Sequence, residues 1–239
     1  MRVVIMPSKL ESTRLNKRLV ELGLADSRRK ADDLIAAGQV KLNGRVAPVG
    51  TQTQPGDKVT LLGKTGQDRP DITIKFYKPT GYICSHLKNG RSKTVFELLP
   101  KSFSSLKIAG RLDRNSQGLM ILSSDGDLIQ YLSHPSSGKE KEYLVTLTKP
   151  FEKALVRSLT RGVQLDDGIS RFVKASLLQP AKLRVVLSEG RNRQIRRTFE
   201  KLGYKVAVLE RTRIGNISLG TLAAGKYEFV KESDIRGGL

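Results

Sequence analysis

The passage that most constrains this chain runs from Gly110-Arg111-Leu112-Asp113-Arg114-Asn115-Ser116-Gln117-Gly118 into the apolar run Leu119-Met120-Ile121-Leu122. An apolar run of that length bounded by polar residues reads as a buried strand. The polar stretch before it reads as an irregular loop held against a rigid element, a common setting for chemistry. Asp113 stands in that loop with arginines on either side. Nearby positive charge favours the ionised carboxylate, so Asp113 is a candidate nucleophile or electrostatic group rather than a proton donor. On this stretch alone, a turn Asp that caps a neighbouring backbone N–H is the commoner case. The rest of the chain has to decide.

Charge narrows the partners. The chain has 239 residues, with 43 Lys and Arg against 23 Asp and Glu, a formal net charge of +20. Chains this basic most often bind a polyanion. Aromatic residues are 5% of the chain and Trp is absent, which argues against a broad base-stacking platform for single strands. Structured RNA, held by phosphate contacts and shape, fits better. No long basic amphipathic helix supports a membrane surface. No apolar run approaches the ~18–20 residues that span a bilayer, and the apolar run at Val3-Val4-Ile5-Met6 is too short for a signal peptide. A single cysteine, Cys84, allows no internal disulfide and fits a reducing cytoplasm. With only His86 and His134 beside it, a zinc site is improbable.

Residues 1–11 read as a loose tail. Leu15, Leu19 and Leu22 then fall on one helical face, with Gly23 to end it. Ser27 suits a helix N-cap, Arg28 to Ala37 reads as a second helix with Ala31, Leu34 and Ile35 inward, and Gly38 follows. Asn43-Gly44 between short β segments predicts a hairpin, and a Pro55-Gly56-Asp57 turn leads to a strand from Lys58 to Leu62. Residues 1–62 hold 11 Lys and Arg against 6 Asp and Glu. Arg28-Arg29-Lys30 sit at a helix start, where the macrodipole disfavours cations, a local cost that hints at an anionic partner. Residues 63–71 have linker composition.

From residue 72 onward strands outnumber helices without regular alternation. Strands are expected at 72–77, 119–122, 143–147, 172–178, 183–187, 205–209 and 227–230, and helices at 125–132, 151–160 and 193–202. This describes an α+β domain, residues 72–239, with a large mixed or antiparallel sheet flanked by helices. Nucleotide-binding glycine motifs are absent. Asp166-Asp167-Gly168 reads as a turn rather than a metal site. Residues 184–213 carry 9 Lys and Arg against 3 Asp and Glu, and Arg193, Arg196 and Arg197 are spaced to share one side of a helix. A solvated basic face explains such a cluster; an opposing phosphate explains it better. An acid, a stacking ring and an arginine suit chemistry on a base lifted from its helix.

Two resemblances sharpen this. Arg14-Leu15-Asn16-Lys17, Ser27-Arg28-Arg29-Lys30-Ala31, Gly38 to Gly44 and Pro55-Gly56-Asp57 resemble an S4 RNA-binding domain over residues 12–62. Lys78-Pro79-x-Gly81, Gly110 to Leu119, Lys141-x-Tyr143-x-Val145, Gly190 to Arg197 and Leu202-Gly203-Tyr204 resemble the RsuA-type ribosomal RNA pseudouridine synthases. Within that family, Ser116 to Leu119 and Leu209 to Ile214 are most similar to the branch termed RluF, which modifies 23S rRNA and in some bacteria a tRNA anticodon uridine. The resemblance implies that Asp113 is the catalytic acid, that Tyr143 stacks on the flipped uracil, and that Arg196 pairs with Asp113. It implies an apolar pocket wall at Leu209 and a base-gap filler at Arg111. RNA contacts are expected from Arg14, Lys17, Arg28, Arg29, Arg193 and Arg197. No cofactor or metal is expected, and the protein is expected to work as a cytoplasmic monomer on ribosomal RNA. A binding-only ribosome-assembly factor and a 16S-specific synthase are the alternatives. A DNA- or membrane-surface module has only net charge in its favour.

Overall fold

The computed structural model describes residues 12–62, 64–65, 71–87, 90–134 and 137–237. The expected tail at 1–11 and most of the expected linker, residues 63 and 66–70, lie outside them. The chain divides into two compact units, Met1–Asp71 and Ile72–Leu239.

In the first unit, strand β1 (Thr13–Arg14) leads into helix α1 (Leu15–Glu21), and α2 (Arg28–Ala36) follows. The Ser27 hydroxyl accepts the Lys30 N–H at 3.2 Å, which satisfies one orphan donor at the start of α2. Strands β2 (Val40–Leu42) and β3 (Arg45–Val46) form the hairpin that Asn43-Gly44 predicts. Both turn residues have positive φ, 51° and 84°, as a type I′ turn demands. Strand β4 (Gln52–Thr53) pairs with β1, while β5 (Val59–Leu61) and β6 (Lys64–Thr65) complete a sheet of order β3-β2-β5-β6. Leu15, Leu19, Ala31, Ile35, Val40 and Val59 make the core. Leu19 is fully buried, so Leu19→Ala costs about 3 kcal/mol.

The second unit is built on one mixed sheet. Its strands in chain order are β7 (Thr73–Lys78), then the small parallel pair β8 (Tyr82–Ile83) and β9 (Lys93–Thr94), then β10 (Lys107–Ala109), β11 (Gln117–Ser123) and β12 (Lys141–Leu147). The hairpin β13 (Val163–Leu165) and β14 (Gly168–Ser170) precedes β15 (Lys174–Gln179), β16 (Lys182–Leu187), β17 (Val206–Ile214), β18 (Ile217–Ser218) and β19 (Tyr227–Phe229). The main path runs β15-β16-β12-β17-β11-β7-β19, with β10 on β11 and β18 on β17. Every neighbour on this path is antiparallel except β11 and β17, whose parallel joint spans only Gln117↔Glu210 and Gly118↔Arg211. Helices α3 (Gly126–Ser133), α4 (Val156–Arg161), α5 (Gln194–Lys201) and α6 (Glu232–Arg236) complete the unit.

The unbroken apolar run of β11 now has its reason. Met120 and Leu122 enter one core with Ile74, Phe76, Tyr143, Val145, Val185 and Phe199. Leu119 and Ile121 enter another with Leu128, Leu132 and Ile214. A strand covered on both faces loses its polar alternation. The expected helix over 151–160 is instead a short 3-10 turn at Lys153–Leu155 continued by α4. Its first residues are held elsewhere, since the Phe151 N–H donates to the Pro180 carbonyl at 2.7 Å.

Candidate active site

The loop before β11 bears on the capping reading of Asp113. The turn there is closed by the backbone, with the Ser116 N–H donating to the Asp113 carbonyl at 3.0 Å. No backbone N–H among the described residues caps the carboxylate, which remains half-buried. The capping role that loop composition suggests is therefore not filled.

Two buried cations hold the residues that follow Asp113. The Lys78 ammonium donates to the carbonyls of Ser116 at 2.7 Å, Pro79 at 3.0 Å and Arg114 at 3.4 Å. Lys78 is fully buried. Burial pushes its pKa down to about 8, helped by Arg211 and opposed by Cys84 and Asp113. From α5, the Arg196 guanidinium donates to the Asn115 carbonyl at 2.8 Å, to the Ser116 hydroxyl at 3.4 Å and to the Val206 carbonyl at 3.0 Å. Burial, then Arg193, lowers the Arg196 pKa, while Asp113 and Glu200 raise it; a guanidinium stays charged regardless. The expected ion pair between Arg196 and Asp113 is not made within 4.0 Å. Arg196 instead bridges the loop carbonyl of Asn115 and the β17 carbonyl of Val206, with its buried Nε unpartnered among the described residues, and reaches the acid through its field.

Tyr143 and Leu209 meet in one core cluster with Leu112, the residue before Asp113. They stand diagonally across β12 and β17, where Val145 pairs with Leu209 and Tyr143 with Arg211. A register shift falls between Glu142 and Tyr143, and such bulges re-aim a side chain beside a site. Tyr143 is 8% exposed and Leu209 6%, so both form wall rather than surface.

The basic residues expected to contact RNA separate. Arg111 is exposed beside Asp113. Arg193 is exposed in a left-handed conformation, φ 49°, at the start of α5. Arg197 is tied to Asp167 at 2.8 Å and Arg191 joins the same carboxylate at 3.1 Å. The three arginines thus do not share one open face: Arg196 points into the core, Arg197 is paired and Arg193 lies outside the helix. Asp167, in the β13–β14 turn, offsets the charge of Arg197 and Arg191, while Asp113 and Glu200 favour that of Arg196. In the first unit, Arg14, Lys17 and Arg28 line one groove of about 250 Å³ with Ser12, Thr13, Asn16 and Gln52. Arg29 is exposed outside it.

Three residues of this region take a part in the site that the sequence alone does not assign to them. Lys78 continues the inward positions of Ile74 and Phe76 on β7, and a lysine in that phase was the available signal. Cys84 is bonded to both backbone groups of Leu112, its thiol donating to the carbonyl at 3.2 Å and accepting the N–H at 3.4 Å. Burial pushes this thiol up against the pull of that N–H and of nearby cations. Arg211 is 1% exposed, hidden in a charged stretch that looked like surface. Among the described residues no group of three or more His, Cys, Asp or Glu could hold a metal ion, and no helix is long and apolar enough to cross a membrane.

The uncapped acid, the two buried cations and the aromatic and apolar residues packed with Leu112 all lie in the second unit of a strongly basic chain. The family model for RNA pseudouridylate synthase matches residues 72–201, and that for the S4 domain matches residues 13–59. The chain belongs to the RNA pseudouridylate synthase family. It is 37% identical over 227 residues to the dual-specificity RNA pseudouridine synthase RluF of Escherichia coli strain K12, covering 94% of this chain and 77% of that one. It is 39% identical over 220 residues to the ribosomal large subunit pseudouridine synthase B of Vibrio cholerae serotype O1, covering 87% and 68%. A crystal structure of a pseudouridylate synthase, 29% identical, matches 93% of this chain and 98% of its own with a TM-score of 0.67.

Proposed function

We propose that this protein converts a specific uridine of large-subunit ribosomal RNA to pseudouridine, with Asp113 as the catalytic acid. The observation that carries the reading is the loop itself. The Asp113 carboxylate has no capping duty among the described residues, and Lys78 and Arg196 fix the carbonyls of Arg114, Asn115 and Ser116 just beyond it. A base within a helix must first be extruded. Asp113 then opens the glycosidic bond, by attack at the ribose or by taking a proton from it, and the electron pair leaves with the uracil. The freed ring turns, and C5 bonds to the anomeric carbon as the Asp113 carboxylate leaves it, or as the proton taken from the ribose is returned; C5 then gives up its proton and N1 gains one. Nothing is oxidised or reduced, so the reaction calls for no redox cofactor.

Tyr143 stacks on the extruded ring, Leu209 walls the pocket, and Arg196 orients the loop. Arg111, exposed beside the acid, fills the gap the base leaves. The groove of Arg14, Lys17 and Arg28, with exposed Arg29, binds RNA phosphates in the S4 unit, and Arg193 and Arg197 add contacts in the synthase unit. The protein acts as a cytoplasmic monomer. A second RNA substrate is favoured by the dual specificity in the name of the Escherichia coli relative, and the resemblance to the RluF branch makes a tRNA anticodon uridine the candidate. Mapping pseudouridines across ribosomal and transfer RNA, in cells with and without the protein, tests both readings. Loss of a site confined to large-subunit RNA supports the first alone. No lost site anywhere contradicts the proposal.

A further inference from the structure

Arg211 has no part in the reaction as set out above, yet it touches most of the site's framework. Its backbone pairs with Gly118 on β11 and with Tyr143 on β12. Its Nε donates to the Leu119 carbonyl at 2.7 Å. Its Nη1 lies 3.9 Å from where a Cβ on Gly110 would stand. One side chain therefore meets the entry and the exit of the Asp113 loop while its strand carries the neighbour of Tyr143.

Its surroundings make stability a poor reason for its presence. Arg211 Nη2 is buried without a hydrogen-bond partner among the described residues. Its charge pulls down the pKa of two other cations, Lys78 and Lys141, and opposes the rise of the Cys84 thiol. No carboxylate pairs with it among the described residues. A buried cation so placed is unfavourable, and an apolar residue of similar volume is often as stable or more so. The contact is nonetheless close, since a Cβ on Gly118 would stand 2.3 Å from the Arg211 carbonyl oxygen.

We infer that Arg211 is a positioning residue that fixes the Asp113 loop relative to the strand of Tyr143. The inference rests on the roles proposed for those two residues. Cys84 provides an independent gauge, because its thiol is bonded to Leu112 within that loop and it is the chain's one cysteine.

The test uses the full chain as Arg211→Met and Arg211→Lys, with total ribosomal RNA from cells lacking the protein as the probe. Four quantities are read: the melting temperature, affinity for that RNA, the single-turnover rate of pseudouridine formation, and the rate of Cys84 alkylation by iodoacetamide. Arg211→Met is expected to keep the melting temperature and RNA affinity. Its rate should fall roughly 100-fold, the scale of a 1 Å misplacement, and Cys84 should alkylate faster. Arg211→Lys, which can still donate to Leu119, should recover part of both. A folded Arg211→Met with unchanged rate and unchanged thiol protection overturns the inference. So does failure of both variants to fold, which would make Arg211 a residue of the fold. If wild type forms no pseudouridine while Arg211→Met still exposes Cys84, the catalytic reading of the loop falls and its placement by Arg211 stands.

Discussion

The Lys78 ammonium lies 2.7 Å from the carbonyl oxygen of Ser116, and it serves the carbonyls of Pro79 and Arg114 as well. Only the charged amine has a donor for each of the three. With a pKa pushed down to about 8, that third donor is lost in mildly alkaline solution. The single-turnover rate on bound RNA should therefore decline as pH rises through about 8. A rate that stays flat through this range removes Lys78 from the support of the loop.

The same group makes a stability prediction of defined sign. A lysine whose folded pKa is lowered binds fewer protons when folded than when unfolded, so its penalty is greatest below pH 8 and fades toward the unfolded value of 10.5. The shift corresponds to about 3 kcal/mol. Relative to Lys78→Met, wild type should gain up to that amount between these limits, as read by urea unfolding at a series of pH values.

Gly118 should tolerate no side chain. Its φ is +108°, and a Cβ there would meet the Arg211 backbone at 2.3 Å and 2.6 Å. Gly118→Ala must part β11 from β17 at their only parallel joint, and it should cost the synthase unit about 3 kcal/mol or more. Denaturant unfolding of the purified variant measures it.

Asp167 clamps the β13–β14 turn to Arg191 and Arg197. The Arg197 hydrogen bond holds its carboxyl below the usual 3.8. Its contribution is thus present above that value and lost as pH falls through the lower folded pKa. The stability difference between wild type and Asp167→Asn should hold steady near neutrality and vanish in strong acid. A difference that persists at the lowest pH would show the clamp to be something other than this ion pair.

In the S4 unit, Arg28→Glu with Arg29→Glu should weaken RNA binding and flatten its salt dependence by about one to two units of log–log slope, as released counterions require. An unchanged slope takes that face out of the interface.

Much of this was legible in residue order. Ser27 caps α2 and Asn43-Gly44 turns its hairpin because those effects are local, set by one or two residues. The β11 run was readable because a strand buried on both faces leaves no polar alternation. What was missed depends on tertiary context. The strand expected to end at Leu209 continues to Ile214, although Glu210, Arg211 and Arg213 break its apolar pattern. Glu210 is drawn in by the Tyr77 hydroxyl at 2.6 Å, and Arg211 by the Leu119 carbonyl. The β13–β14 hairpin escaped because its strands are three residues each, and the clamp that holds it comes from arginines far along the chain. At the site, motif resemblance picked out Asp113, Tyr143 and Arg196. It could not show that Arg196 donates to the Asn115 and Val206 carbonyls rather than pairing with the acid, because that depends on where β17 and α5 bring the guanidinium.

The central claim is that Asp113 does the chemistry, and one measurement addresses it directly. Asp113→Asn keeps the size of the side chain and removes its charge. It is expressed in cells lacking the native protein, and pseudouridine is quantified at the site that wild type restores. The account predicts no pseudouridine there, with RNA affinity and melting temperature close to wild type. Full restoration by Asp113→Asn would contradict it.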